Sequence, residues 1–329
     1  MGSRPSANKG CDGERFTMRL RRSCLSVPAS SPKMLEKSRT LPADEIFFDL
    51  EDAVAPMEKN DATRQNVVDA LQSSGWRAKT RVVRVNGVAT QWCWRDITYI
   101  VARAGAQLDC IMVPKVHDAS HVHFVDKLLD QLEFEFQLEP GRIGLELQIE
   151  TGHGSVKIEE IASASRRAET LIFGPGDYAA NLGIPQLSVG ALEEHYPGDQ
   201  WHYICSRIVT TARAYGLQAI DGPYAQIRNP EGLTEVARRA RLLGMEGKWA
   251  IHPDQLEIVN SMFSPTQEQY DYAIELLDAY RNATDVEGRG AVMWRGEMID
   301  EANRKMATAI EAAGLAAGLS SPLNRGEAR

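Results

Sequence analysis

Short apolar runs along the chain repeatedly end in ionisable side chains. Asp49, Glu51 and Asp52 close EIFFDLED, Arg84 and Asn86 close RVVRVN, Lys115 follows IMVP, and Glu150 ends LELQIE. Asp177, Asp221 and His252 close three later runs. Glu150 is followed by Thr151-Gly152, and Asp177 is preceded by Gly174-Pro175-Gly176. Two carboxylates with small neighbours suit a divalent cation such as Mg2+, which takes oxygen ligands and keeps room for water or a chelating substrate. The plainer alternative is that each carboxylate caps a helix or pairs with a nearby lysine; spacing alone leaves both open. Arg84 sits among Val82, Val83 and Val85, where a buried cation needs a partner. Its fork of donors suits a substrate carboxylate or a developing enolate. A salt bridge to Glu51 or Asp52 is the structural alternative, and the two roles are compatible.

The elements that must position these groups alternate in a regular way. Candidate strands are 22–27, 45–51, 80–86, 110–116, 142–150, 170–177, 217–223 and 247–253, several of them near-continuous apolar runs of the kind buried on both faces of a parallel sheet. Helical stretches follow: Ser31-Pro32 opens KMLEKS, and 58–72, 92–104, 118–131, 155–164, 202–215, 230–243 and 254–262 supply the rest. Eight β–α units in about 240 residues match the rhythm of a (β/α)8 TIM barrel. A doubly wound open sheet competes, but no Gly-x-Gly-x-x-Gly follows the first strand. In a barrel the active site is built at the C-terminal strand ends, so the ionisable groups above would converge on one face.

Beyond the eighth unit, Ser264-Pro265-Thr266-Gln267 has the form of a capping box opening a helix to about Asn282. A glycine-bearing loop (287–300) and a last helix from about Ile299 to Ala313 complete the chain. The expected organisation is a disordered tail at 1–18, a catalytic barrel at 19–263, a C-terminal helical extension at 264–317 packing on the barrel or on a neighbouring subunit, and a disordered tail at 318–329.

The net charge of −8 argues against a nucleic-acid or anionic-membrane surface as the main partner. No apolar run approaches the roughly 18 residues of a membrane span, and the polar, basic N-terminus lacks the apolar centre of a secretory signal. The five cysteines are scattered, without Cys-x-x-Cys, which fits a reducing cytoplasm rather than a disulfide framework. His117, His121 and His123 read as a solvated helix start, Trp92 and Trp94 as packing, 238–241 as a solvated arginine face, and Cys24 and Cys110 as inert core thiols.

Nine segments occur in order: SVPASSPKMLEKS, FFDLEDAVAP, RVVRVNG, IMVPKV, LQIET, FGPGDYAANLG, AIDGPY, LGMEGKWAIHP and GEMID. Together they resemble the malyl-CoA lyase branch of the citrate lyase β-subunit-like family, across residues 20–313. The resemblance implies a Mg2+-dependent barrel, with Mn2+ as the other ion to consider, acting on a CoA thioester. Its reaction would be reversible cleavage of malyl-CoA or β-methylmalyl-CoA to acetyl-CoA or propionyl-CoA plus glyoxylate. By the same resemblance Glu150 and Asp177 match metal ligands, Arg84 a substrate arginine, and Lys37 a basic residue at the CoA phosphates. Gly176, Ile251 and His252 match groups lining the substrate, Glu51 and Asp52 would hold Arg84, and Asp300 matches an acid–base carboxylate delivered to a neighbouring subunit of a trimer or hexamer. Ser31 stands where many relatives carry arginine, and GPGDY replaces a commoner Gly-Ala-Ala-Asp, so the acyl group stays open. A malyl-CoA thioesterase, a citramalyl-CoA lyase and a citrate lyase β-like subunit that needs a partner are the alternatives.

Overall fold

The structure is a computed structural model that describes residues 19–193, 195–286, 288 and 290–320. The tail expected at 1–18 lies outside the described residues, as does 321–329 of the second tail. Strands and helices alternate: β1 (Ser23–Pro28), α1 (Pro32–Ser38), β2 (Glu45–Asp49), α2 (Asp61–Gln72), β3 (Thr80–Arg84), α3 (Cys93–Ala104), β4 (Cys110–Val113), α4 (Ala119–Glu135), β5 (Gly144–Ile149), α5 (Gly152–Val156) and α6 (Ile158–Ser163). The second half continues with β6 (Ala168–Phe173), α7 (Pro175–Leu182), α8 (His202–Tyr215), β7 (Gln218–Asp221), α9 (Pro230–Leu243), β8 (Gly247–Ala250) and α10 (Leu256–Met262). Strands β1 to β8 pair in sequence order, all parallel, and β8 returns to β1 to close the barrel. The expected (β/α)8 fold is the observed one.

Side chains on a strand alternate between faces, and the two faces form separate apolar clusters. Cys24, Phe47, Val82, Cys110, Met112, Ile172, Ile220 and Trp249 make up the smaller one, in the barrel interior. Leu25, Val27, Ile46, Phe48, Val83, Ile111, Leu147 and Leu171 belong to the larger layer beneath the helices. That double burial is why the strands read as unbroken apolar runs. At the N-terminal end of the barrel Arg21, 2% exposed, donates to Glu45 (2.8 Å), Glu146 (2.8 Å), Glu169 (2.6 Å) and Gln218 (2.7 Å). Burial pushes the Glu45 and Glu146 carboxyls up. A charged floor of this kind opposite the active face is a structural plug.

Several boundaries differ from the sequence reading. The sixth strand stops at Phe173 and a helix begins at Pro175, because proline suits the first helical position. The single helix expected at 155–164 is two short ones, broken at Lys157 (φ −101°, ψ 16°). Trp94 is 52% exposed and is not packing. Arg241 is half-buried, donating to the Met262 carbonyl at 2.8 Å, so the 238–241 face is not wholly solvated.

In the C-terminal extension the capping box is Thr266 with Gln269, two residues later than expected, and opens α11 (Gln267–Arg281). The loop expected next contains a hairpin, β9 (Val292–Trp294) and β10 (Glu297–Ile299), turned by Arg295 (φ 50°) and Gly296 (φ 86°). Two successive positive φ values suit a tight hairpin turn. Then comes α12 (Glu301–Ala316). Ala273, Leu276, Tyr280, Ile299 and Ala307 give the extension a small core of its own.

Candidate active site

Glu150 follows β5 directly and is 2% exposed. Its strand neighbour β6 pairs Ile149 with Phe173, so the α7 N-terminus and Asp177 come up beside it. Two features make room for the pair. A Cβ on Gly174 would fall 2.1 Å from Glu150 Oε2, so only glycine lets the carboxylate lie there. The Gly152 amide donates to Asn181 Oδ1 at 2.8 Å, tying the turn after Glu150 to the helix that carries Asp177. Burial, reinforced by the Asp177 charge, pushes the Glu150 carboxyl up to about 8, although Arg84 and Lys115 oppose the shift. Gln148 Nε2 donates to Glu150 Oε2 at 3.1 Å.

Arg84 ends β3 and is 6% exposed. Its Nε and Nη2 donate to Asp49 at 2.9 and 2.5 Å, and Nη1 lies 3.0 Å from Glu51 Oε2. Burial disfavours the charge, but these carboxylates outweigh it and hold the guanidinium above its ordinary value. The Trp249 ring lies 5.1 Å from Arg84 Cζ, supporting it from the barrel interior. An arginine carries five N–H donors; two donate to Asp49 and Nη1 pairs with Glu51, which leaves terminal N–H groups for a substrate oxygen.

Glu51 and Asp52 divide the role expected for both. Glu51 pairs with Arg84 and with Lys115, whereas Asp52 pairs with Lys115 at 3.2 Å and makes no ion pair with Arg84 among the described residues. The residue that orients Arg84 bidentately is Asp49, itself fixed by the Glu51 amide at 2.8 Å and the Ala53 amide at 3.3 Å. Alternation along β2 gave the signal, since Glu45, Phe47 and Asp49 share the inward face. Lys115 ties the halves together: its amide donates to Glu150 Oε1 at 2.7 Å, and its Nζ contacts Glu51 and lies 3.3 Å from Asp177 Oδ2.

The other expected site residues lie further out. Gly176 is in the first turn of α7, where a Cβ would meet Val189 at 3.3 Å. Ile251, 37% exposed, and His252 follow β8, which pairs with β1; the Ile251 amide donates to Gln255 at 2.8 Å, and His252 Nδ1 accepts from the Asp254 amide at 3.2 Å. Lys37 is exposed in the last turn of α1, the helix that follows β1. Lys37 thus follows β1 and the other two follow its barrel neighbour β8, with no hydrogen bond or ion pair between Lys37 and either among the described residues. Asp300 is exposed and N-caps α12, accepting from Ala302 at 2.8 Å and Asn303 at 3.4 Å. No hydrogen bond or ion pair joins it to Arg84, Glu150 or Asp177 among the described residues. His117 and His121 stack at 5.2 Å, and His153 stacks on His117 at 5.9 Å. Among the described residues no set of three or more His, Cys, Asp or Glu side chains is placed to hold a metal ion.

The HpcH/HpaI aldolase/citrate lyase family model matches residues 22–253, which span the barrel from just before β1 to just after β8. A relative named L-malyl-CoA/beta-methylmalyl-CoA lyase, from Cereibacter sphaeroides, is 36% identical over 293 residues, covering 86% of this chain and 91% of its own. The Escherichia coli citrate lyase subunit beta is 35% identical, covering 86% of this chain and 89% of its own. Among solved structures, CitE from Mycobacterium tuberculosis in complex with magnesium, acetoacetate and coenzyme A is 27% identical, covers 91% of this chain and 98% of its own, and has a TM-score of 0.71. The chain belongs to the HpcH/HpaI aldolase/citrate lyase family.

Proposed function

We propose that this chain is a Mg2+-dependent CoA-ester lyase that cleaves and re-forms malyl-CoA or β-methylmalyl-CoA, yielding acetyl-CoA or propionyl-CoA and glyoxylate. The observation that carries the reading is the buried Glu150 carboxyl just after β5, beside Asp177 in the first turn of α7, in a chain 36% identical to a lyase of that name. The pair fits the ion by its chemistry. Two hard oxygen donors and no third protein ligand suit Mg2+, which commonly keeps several waters and takes one or two carboxylates. Burial raises the Glu150 carboxyl and repulsion from Asp177 adds to it, and a divalent charge would relieve that repulsion. Mn2+ would meet the same donors.

When bound, the ion polarises the 2-oxo acid's carbonyl oxygen. The chain's own residues account for the rest. Arg84, immobilised by Asp49 and Glu51, offers terminal N–H groups to the oxygen that gains charge as the thioester enolate forms. Asp300, exposed on the extension, takes or returns the proton at the thioester α-carbon in a neighbouring subunit's site. Lys37, on the helix after β1, and Ile251 and His252, after the neighbouring β8, bind the CoA end, and Gly176 lines the acid end. The assembly is a trimer or a dimer of trimers.

The test runs the reaction in the condensing direction. With Mg2+, acetyl-CoA and glyoxylate should give malyl-CoA by mass spectrometry, and a chelator should abolish it. Condensation that ignores the chelator would contradict the metal assignment. Turnover that appears only with an acyl-carrier protein would make the chain a subunit of a larger lyase.

A further inference from the structure

Lys115 is one of three non-glycine residues with positive φ among the described residues, at 50°. Left-handed backbone is unfavourable for lysine and is kept where the surroundings impose it, commonly at functional sites. Here it separates two groups of one residue. The backbone N–H turns to Glu150 Oε1 at 2.7 Å, while the side chain carries its ammonium to Glu51, to Asp52 at 3.2 Å and to Asp177 at 3.3 Å. One residue therefore addresses both carboxylates of the proposed cation pair by different means. Through Glu51 it also reaches Arg84, on the substrate side.

These two contacts have opposite consequences for a divalent cation. The amide fixes Glu150 without adding net charge. The ammonium places a full positive charge 3.3 Å from Asp177 Oδ2, a close contact between side chains 30% and 36% exposed. It therefore competes with a cation for Asp177. A substrate carboxylate changes that balance, because it gives the ammonium, whose side chain is 30% exposed, a negative partner other than Asp177.

We propose that Lys115 couples the two ligands: it weakens divalent-cation binding at Glu150 and Asp177 until a carboxylate substrate arrives, so that cation and acid bind together. The proposal rests on the Mg2+ reading above. Linkage of this kind is reciprocal, so the cation strengthens binding of the acid by the same factor.

The test is calorimetric titration of the full chain with Mg2+, with and without saturating pyruvate as a 2-oxo acid probe. In the unaltered protein, pyruvate should tighten Mg2+ binding by at least about tenfold. Lys115→Met should bind Mg2+ alone at least about tenfold more tightly than the unaltered protein, with the pyruvate effect reduced to below about threefold. Lys115→Gly, which accepts the left-handed backbone without strain, should behave the same way and serves if the methionine variant does not fold. Lys115→Arg should retain the coupling. Lys115→Met and Lys115→Gly binding Mg2+ no more tightly, with the pyruvate effect undiminished, would overturn the proposal and leave Lys115 a strut. Mg2+ binding that is equal in the unaltered protein and in Glu150→Gln would overturn the metal reading itself, and the coupling with it.

Discussion

At the residue scale the site is an arrangement of unequal carboxyls. Glu150 is pushed up to about 8 from an ordinary 4.5, whereas Asp49 and Glu51 are engaged by Arg84. Between those two pH values folded Glu150 holds a proton that the unfolded chain releases. In the absence of Mg2+, stability therefore falls as pH rises from about 4.5 through 8. Mg2+ needs the carboxylate, so at pH 7 its binding should release close to one proton. Its affinity should rise about tenfold per pH unit up to 8 and level off beyond. Calorimetry in two buffers of different ionisation enthalpy measures the proton directly; binding with no release would contradict the assignment of Glu150. The expected ligands and arginine were legible because each closes an apolar run. Asp49 and Lys115 were visible as strand ends too, but their roles depend on which carboxylate each one reaches. That is decided by strand alternation at Asp49 and by a backbone twist at Lys115 that no spacing announces.

At the element scale the decisive feature is the junction of β6 and α7. The sequence showed eight strands by their apolar runs, and each is found within a few residues of its expected place. It did not show that a helix starts at Pro175, because GPGD reads equally as a strand end and as a turn. Nor did it show the hairpin, whose three-residue strands are too short for periodicity to register. Gly174 is the point where this junction meets the chemistry. Its φ of −108° suits any residue, so Gly174→Ala tests crowding alone. The added Cβ would displace Glu150, costing about 1–3 kcal/mol of stability. Mg2+ affinity should fall by at least about tenfold, a loss of first-ligand geometry rather than of fold. Unchanged Mg2+ binding in a folded Gly174→Ala protein would show that the carboxylate does not need that space.

At the scale of the whole molecule the proposed acid–base residue lies on the extension, not on the barrel. Arg84, Glu150 and Asp177 gather on one rim, but Asp300 sits on a segment with its own core and, among the described residues, has no hydrogen bond or ion pair to them. The hairpin that precedes it exposes Met293 and Met298, paired across β9 and β10, at 63% and 70%. If Asp300 serves a neighbour, Glu150→Gln and Asp300→Ala should each be inactive alone. Mixed and allowed to exchange subunits, they should recover about a quarter of normal activity, as expected for sites that draw on two chains at random. Mixed oligomers that stay inactive, while each variant is inactive alone, would contradict delivery to a neighbour and return Asp300 to its own chain's site.

The central claim is that the bond broken lies between two carbons and not at the thioester. The most direct measurement is mass spectrometry of the CoA products after incubating the chain with malyl-CoA and Mg2+. Acetyl-CoA with an equal amount of glyoxylate, lost when a chelator is added, is the predicted result. Free CoA and malate would contradict it and make the enzyme a thioesterase.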